Sequence, residues 1–117
     1  MFSRKNTNNT HKALVTGDRV IINILSRDQK ELAYRFANPK LDNKERFDQV
    51  SYQLSSDVPI LDGSKSVIEA DIHSYIDSGD HTIFVCEARE VHVNKELEPL
   101  VYYGSSFYDL LSLAPAQ

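Results

Sequence analysis

Hydrophobic and polar residues alternate along residues 66–76, and this alternation predicts the central strand of the protein. The apolar positions are Ile68, Ala70, Ile72 and Ile76, and the polar positions are Glu69, Asp71 and His73. A period of two with one apolar face is typical of a half-buried strand. Residues 81–88 are rich in β-branched and aromatic side chains and predict a second strand. Between them, Gly79 and its polar neighbours favour a turn. The pattern therefore predicts a hairpin over residues 66–93, with His81 where the turn becomes a strand.

Apolar runs before the hairpin predict a strand and a helix. Residues 19–25 are apolar apart from Asn23 and a first arginine, which indicates a central strand buried on both faces. A buried amide needs partners, so we expect Asn23 to bond a neighbouring loop. Ser26 and Gln29 have the spacing of a capping box, which predicts a helix that ends near Ala37, before Pro39.

The remaining elements are shorter. Residues 1–9 are polar and predicted to be weakly structured, and Thr10 is placed to cap a short helix that ends at Gly17. Residues 38–45 and 55–66 are predicted loops, with Pro59 inside the second. Residues 47–54 have the spacing of a short strand or irregular edge. Residues 100–103 predict a last strand, followed by an apolar tail over residues 107–113.

Composition narrows the class of protein. A chain of 117 residues, 41% hydrophobic and 26% charged, is typical of one globular domain. The net charge of -4, without a basic stripe, argues against a nucleic-acid partner. We find no apolar run long enough for a membrane helix and no signal peptide, so we expect no membrane partner and a cytoplasmic location.

The residues that could carry chemistry are few. Cys86 is the one cysteine, which excludes an internal disulfide and a cysteine-based zinc site, and its apolar strand favours a buried structural thiol. His73, His81 and His92 fall on neighbouring predicted strands, a spacing compatible with a metal site, but strand histidines usually cap or face solvent. We predict no metal. The sequence has no glycine-rich phosphate loop and no Ser-His-Asp spacing.

The stretch Gly79-Asp80-His81-Thr82-Ile83-Phe84-Val85-Cys86-Glu87-Ala88 resembles the flavin reductase family. Blocks at residues 20–37, 59–70 and 99–110 are similar to the same family in the same order. Its members are split-barrel NAD(P)H:flavin oxidoreductases that supply reduced flavin to two-component monooxygenases. The resemblance implies a mainly β fold with short helices (α+β), a split β-barrel of the flavin reductase type. It covers nearly the whole chain, so we expect one flavin reductase-like domain over residues 1–117.

The resemblance also implies that the chain is shortened at its N-terminus. Family members begin with additional strands that hold much of the flavin, and residues 1–11 correspond to a later loop. We therefore expect an incomplete barrel, no flavin retained on purification, and weak reductase activity. An alternative function is a non-catalytic split-barrel module that binds flavin or dimerises.

Site residues follow from the same resemblance. His81 is the expected catalytic residue, beside the nicotinamide and the flavin edge, and Asp80 would orient it; the alternative is a turn histidine bonded to Asp77 or Asp80. Gly79, Asp80 and His81 are also expected to bind the cofactor. The other candidate cofactor-binding residues are Asn8, Asn9, Thr10, Arg35 and Tyr103. The first three would lie beside the flavin phosphate, or simply cap a helix. Arg35 would reach a nicotinamide pyrophosphate, or be an ordinary solvated residue.

Tyr103 would offer an aromatic face to the cofactor, or pack in the core or a dimer. The implied cofactors are FMN or FAD, with NADH or NADPH as co-substrate. The implied partners are a flavin-dependent monooxygenase component and a second copy of this chain. Candidates for the dimer contact are Val101, Tyr102, Phe107 and Leu110.

Overall fold

A computed structural model describes residues 2–5 and 14–109, with the backbone alone for residues 2–5 and 109. The strands are β1 (Phe2–Lys5), β2 (Arg19–Ile24), β3 (Tyr52–Ser55), β4 (Val58–Leu61), β5 (Ser66–Ser78), β6 (His81–Val93), β7 (Leu100–Tyr103) and β8 (Ser106–Asp109). The helices are α1 (Lys30–Ala37), which follows a 3₁₀ turn at Arg27–Gln29, and α2 (Asn43–Phe47). The predicted mainly β fold with short helices is confirmed. The helix expected from Thr10 falls largely outside the described residues. In the part described, no helix has the length and apolarity needed to span a membrane.

Four strands form the main sheet, in the order β1-β6-β5-β2. β5 and β6 are joined by Gly79 and Asp80 alone, so they form the predicted hairpin. Gly79 has φ +61°, and Asp80 is not among the residues with positive φ. A positive φ at the first loop position is the requirement of a type II′ turn, whose twist matches that of the flanking strands.

Two expectations at the margins of this sheet were wrong. β2 comes last in the order of described strands and so lies at an edge, whereas its continuous apolar run suggested a central position. Residues 2–5, expected to be weakly structured, form β1 and pair antiparallel with β6. The register sets Phe2 opposite Phe84 and Lys5 opposite His81. Pairing with a long partner strand overrides the weak local preference of a polar segment.

Two smaller hairpins complete the strands. β3 pairs with β4 through Ser56 and Asp57, with φ values of 50° and 65°, and β7 pairs with β8 through Gly104 and Ser105, with φ values of 58° and 65°. Two successive positive φ values are typical of type I′ turns. The loop expected over residues 55–66 is therefore wrong over β4, where Pro59 is accommodated because a two-stranded sheet leaves outward N–H positions unpaired.

The loop expected over residues 38–45 also contains the start of α2. Asp42 is the N-cap of this helix, because its Oδ1 accepts a hydrogen bond of 2.8 Å from Glu45 N. Glu45 Oε1 accepts in return from Asp42 N at 3.2 Å. This reciprocal capping box satisfies two N–H groups of the first turn and explains why so short a helix forms.

Contacts divide the chain into two compact units, the first of residues 1–22 and 68–91 and the second of residues 23–67 and 92–117. In the first, Ala70, Ile72 and Phe84 are the buried apolar side chains. The predicted alternation holds at Ala70 and Ile72 but fails at Ile76, which is 60% exposed near the hairpin tip. It fails also at Glu69, which is 4% exposed because its polar face is covered as well.

In the second unit, buried polar groups tie loops to the helix start. Gln29 Oε1 accepts from Ser26 N at 2.9 Å, as the capping box predicted, and its Nε2 donates to Asp62 O at 2.9 Å. Asn23 Oδ1 accepts from Leu61 N at 3.0 Å. The expectation that Asn23 finds a hydrogen-bond partner is thus confirmed, although Leu61 ends strand β4 and does not belong to a loop. Edge-to-face aromatic contacts, among them Tyr34 with Phe107 at 5.0 Å between ring centroids, pack the remaining surface.

Candidate functional site

His81 is the first residue of β6 and stands directly after the Gly79-Asp80 turn. Its Nδ1 lies 2.7 Å from Asp80 Oδ1, so the expected contact between these neighbours is present. The His81 side chain is 41% exposed, and the turn residues around it are exposed as well. The contact is common to both interpretations of His81, as a turn residue and as a catalytic residue.

The Asp80 contact sets the chemistry of the imidazole. An ionised carboxylate can only accept, so His81 Nδ1 carries the proton that it donates. Nε2 is then the acceptor of a neutral ring and becomes a donor when the ring is protonated. A partly exposed ring with one nitrogen fixed and the other directed elsewhere suits contact with a ligand.

The strand beside His81 is fixed by a second polar contact. Thr82 is fully buried, and its Oγ1 donates to Asp77 Oδ1 at 2.7 Å. Asp77 therefore bonds Thr82, and it is Asp80 that holds His81. Phe84, two residues further along β6, is part of the core and contacts Tyr75 with 6.2 Å between ring centroids. His81 thus projects from a strand whose next residues are firmly packed.

A cluster of charges that the sequence analysis did not identify lies on the same unit. Asp71 accepts from Arg19 Nε at 2.6 Å and from Arg89 Nε at 2.7 Å. These hydrogen bonds, with Arg19 first, hold the pKa of Asp71 below its usual range. The bond to Asp71 also raises the pKa of Arg89. The cluster ties β2, β5 and β6 together through one carboxylate.

A pocket of about 330 Å³ opens beside this cluster, and its lining residues are Thr16, Gly17, Asp71, Ile72, His73, Glu87 and Arg89. Its charged groups largely neutralise one another, since Arg89 Nη1 also lies 3.3 Å from Glu87 Oε1. The lining does not include His81. We therefore assign the candidate site to the His81 corner, where Asp80 holds Nδ1 of a partly exposed imidazole, and treat the charge cluster as structural.

The other expected site residues lie elsewhere in the chain. Arg35, on α1, donates from Nη1 to Asp48 O at 2.6 Å, which joins α1 to the end of α2. Tyr103 ends β7 and is 76% exposed. Both belong to the second unit, whereas Gly79, Asp80 and His81 are contiguous in the first. Asn8, Asn9 and Thr10 lie outside the described residues.

The mainly β fold and the Gly-Asp-His corner can now be compared with known families. The family model for the flavin reductase like domain matches residues 1–111, so the chain belongs to that family. The resemblance drawn from residues 79–88 and the flanking blocks is thereby confirmed.

Relatives with assigned names agree with this membership. The chain is 33% identical over 95 residues to an actinorhodin polyketide dimerase of Streptomyces coelicolor, covering 81% of this chain and 52% of that protein. It is 32% identical over 87 residues to a flavin reductase of Pseudomonas putida, covering 74% of this chain and 49% of that protein. The chain thus spans about half the length of the curated relatives that it matches.

Solved structures show the same fold. An NADH:FAD oxidoreductase of Streptomyces globisporus matches with a TM-score of 0.85 and 25% identity, over 97% of this chain and 68% of that one. A nitrilotriacetate monooxygenase component B from Mycobacterium thermoresistibile matches with a TM-score of 0.81 and 26% identity, over 99% and 66%. The predicted fold of the flavin reductase split-barrel type is confirmed.

Proposed function

We propose that the protein is an NAD(P)H:flavin oxidoreductase that reduces FMN or FAD for a partner monooxygenase. The observation that carries the proposal is the His81 corner, where Asp80 fixes Nδ1 and the half-exposed ring keeps Nε2 for a ligand. Family membership over residues 1–111 supports it. The names of the matched flavin reductase and NADH:FAD oxidoreductase support the choice of flavin and reduced nicotinamide.

The residues of the His81 corner suit contact with the nicotinamide and flavin rings. When bound, the nicotinamide and the flavin supply the hydride chemistry themselves, so the protein needs only to hold and orient them. His81 Nε2 would donate to or accept from a polar ring atom, and Asp80 would keep the imidazole in one orientation. Around Gly79 there is open space in the described part of the chain, since apart from its two chain neighbours no described residue lies within 4 Å of the position a Cβ would take. A ligand can therefore approach the turn closely.

The residues that would contact the flavin phosphate are proposed from their order in the chain. Lys5 stands opposite His81 in the register of β1 with β6. Asn8 follows Lys5 by three positions in the chain. Asn8, Asn9 and Thr10 are hence candidates for the flavin phosphate. Arg35 and Tyr103 stay candidates, although the bond from Arg35 to Asp48 O indicates a structural role.

The organisation proposed for the protein follows the family. One family model covers residues of both units, which supports a single flavin reductase-like domain over residues 1–117. A monooxygenase partner is supported by the name of the matched nitrilotriacetate monooxygenase component B. A cytoplasmic location stays a prediction from the sequence.

We also propose a homodimer. Tyr102 is exposed and available for the contact, and Val101 is half-buried. Phe107 already packs against Tyr34 and Tyr102 within its own unit, at 5.0 Å in each case, and is a weaker candidate. Leu110 lies outside the described residues. Light scattering across a range of concentrations should report twice the mass of the chain; a constant single-chain mass would contradict the proposal.

Mixing the protein with NADH and either FMN or FAD, and following the nicotinamide absorbance, tests the function. We expect flavin-dependent NADH oxidation that falls about a hundredfold in His81→Ala, the scale of losing one positioned acid–base or hydrogen-bonding group. His73→Ala is the matched control, since it removes an exposed strand histidine of the same unit. Full activity in His81→Ala would refute the assigned role. Flavin binding without NADH oxidation in the parent protein would favour the non-catalytic module.

A further inference from the structure

The tip of the β5–β6 hairpin is held by few apolar contacts. Every residue from Tyr75 to Asp80 is exposed, and Ile76 in particular faces solvent. On the β6 side, burial begins at Thr82, the residue after His81. Packing therefore fixes β6 immediately beyond His81, whereas on β5 the residues beyond Tyr75, which contacts Phe84, are exposed together with the turn. The backbone pairing of β5 with β6 extends to this end of the hairpin, and a side-chain contact would strengthen the register at His81.

The hydrogen bond between Thr82 Oγ1 and Asp77 Oδ1 supplies that contact. The two residues flank the turn symmetrically, each separated from the two loop residues by one strand position. A hydroxyl bound to a carboxylate is a charge-assisted bond, and at 2.7 Å it has the length expected of one. Thr82 is fully buried, so its hydroxyl has a strong requirement for its partners. The bond fastens the exposed end of β5 to the packed start of β6.

We propose that Asp77 is a positioning residue for His81. By fixing the register of the hairpin tip, its bond to Thr82 keeps the turn in the conformation in which Asp80 can hold His81 Nδ1. Register matters here because a slip of one residue turns a strand side chain to the opposite face. The proposal rests on the proposed function in assigning His81 to the reaction, but its geometric content concerns the imidazole alone.

Two substitutions break the bond from opposite ends. Asp77→Ala removes the acceptor, and Thr82→Val replaces the hydroxyl by a methyl group of similar size. Thr82→Ser keeps the hydroxyl and should restore the parent behaviour. Ser51→Ala is the matched control, because it removes another hydroxyl–carboxylate bond, from Ser51 to Asp62, beside the β3–β4 hairpin. If Asp77→Ala does not fold, Thr82→Val alone breaks the bond, and Asp77→Asn, which keeps a side-chain acceptor of the same size, should retain the parent tautomer.

The first readout is the tautomer of His81, from ¹⁵N chemical shifts of the imidazole. In the parent we expect the Nδ1–H form that the Asp80 contact requires, and in Asp77→Ala and Thr82→Val a mixture with the Nε2–H form. The second readout is steady-state NADH oxidation. We expect kcat to fall about tenfold, equivalent to one charged hydrogen bond, with an unchanged KM for NADH.

The outcomes separate the two claims. If Asp77→Ala and Thr82→Val keep the parent tautomer and kcat, or if Ser51→Ala changes them equally, Asp77 has no positioning role. If the parent does not oxidise NADH with any flavin, the proposed function fails and the tautomer alone decides on Asp77. A changed tautomer in both variants, with recovery in Thr82→Ser, supports the positioning role in either case.

Discussion

Replacing Asn23 by alanine should test how the second unit is held together. Asn23 lies on β2, and its side chain makes hydrogen bonds to the segment that follows β3. Oδ1 accepts from Leu61 N at 3.0 Å and from Ser64 Oγ at 3.5 Å, while Nδ2 donates to Pro59 O at 3.4 Å. Alanine removes all of these without adding volume. We expect a loss of folding stability dominated by one of the contacts.

The dominant contact is the one to Leu61 N. Leu61 is 8% exposed, so its amide cannot turn to water when Asn23 Oδ1 is removed. An unsatisfied buried donor costs about 1–3 kcal/mol. The contacts to Ser64 and Pro59 lie near the upper limit of hydrogen-bond length, and Ser64 Oγ keeps its 2.9 Å bond to Leu61 O. The expected decrease in unfolding free energy is therefore about 2 kcal/mol.

Urea unfolding followed by far-ultraviolet circular dichroism measures this loss. With a slope of about 2 kcal/mol/M, the midpoint should fall by about 1 M while the slope is unchanged. Asn94→Ala is the matched control: Asn94 Oδ1 accepts from Glu96 N at 3.1 Å, but the site is exposed, and we expect a loss of about 0.5 kcal/mol. Asn23→Asp keeps the acceptor and should lose less than Asn23→Ala. Equal losses in Asn23→Ala and Asn94→Ala would refute the reasoning.

Three further predictions concern the first unit. The pKa of Asp71 is lowered in the folded protein, so its contribution to stability is complete above about pH 3.8 and is lost as the pH falls through the lowered value. Asp71→Asn should remove this part of the acid dependence of folding stability. Urea unfolding midpoints measured across this pH range test the prediction. Burial raises the pKa of the Cys86 thiol, so the folded protein should react with iodoacetamide more slowly than the chain in urea at the same pH, and equal rates would contradict this. Gly79→Ala should destabilise by about 1 kcal/mol through φ alone, and Gly79→Asn by less, because asparagine tolerates positive φ; a neutral alanine variant would show that the turn relaxes.

Local chemistry predicted the elements whose causes are local. The β5–β6 hairpin follows from alternation and a glycine turn, and the start of α1 follows from Ser26 and Gln29. Asn23 was placed correctly because a buried amide must find a partner somewhere. β1 and β4 were not predicted because these strands form by pairing with other strands. The composition of β1 is polar and β4 contains a proline, and neither composition indicates a strand.

In the candidate site, too, contacts between sequence neighbours could be predicted and contacts between distant residues could not. The contact of Asp80 with His81 joins sequence neighbours and could be predicted. Which of Asp77 and Asp80 bonds His81 became clear only from the structure. The Arg19–Asp71–Arg89 cluster joins three strands, and its signal in the sequence was weak: alternate acidic residues on β5 and an arginine on the next strand. The role proposed for His81 rests on family resemblance, because neither periodicity nor residue spacing indicates it.

The register of β1 with β6 has a consequence for synthesis of the protein. Phe2 pairs with Phe84, which the ribosome adds 82 residues later, since 84 minus 2 is 82. At about 5–20 residues per second, β1 waits roughly 4–16 s after its own synthesis before its partner exists. The three hairpins have no such delay, because their strands are adjacent in the chain. We expect nascent chains that stop before Phe84 to lack the strand that pairs with β1 beside His81, so that this part of the sheet forms after the β3–β4 hairpin.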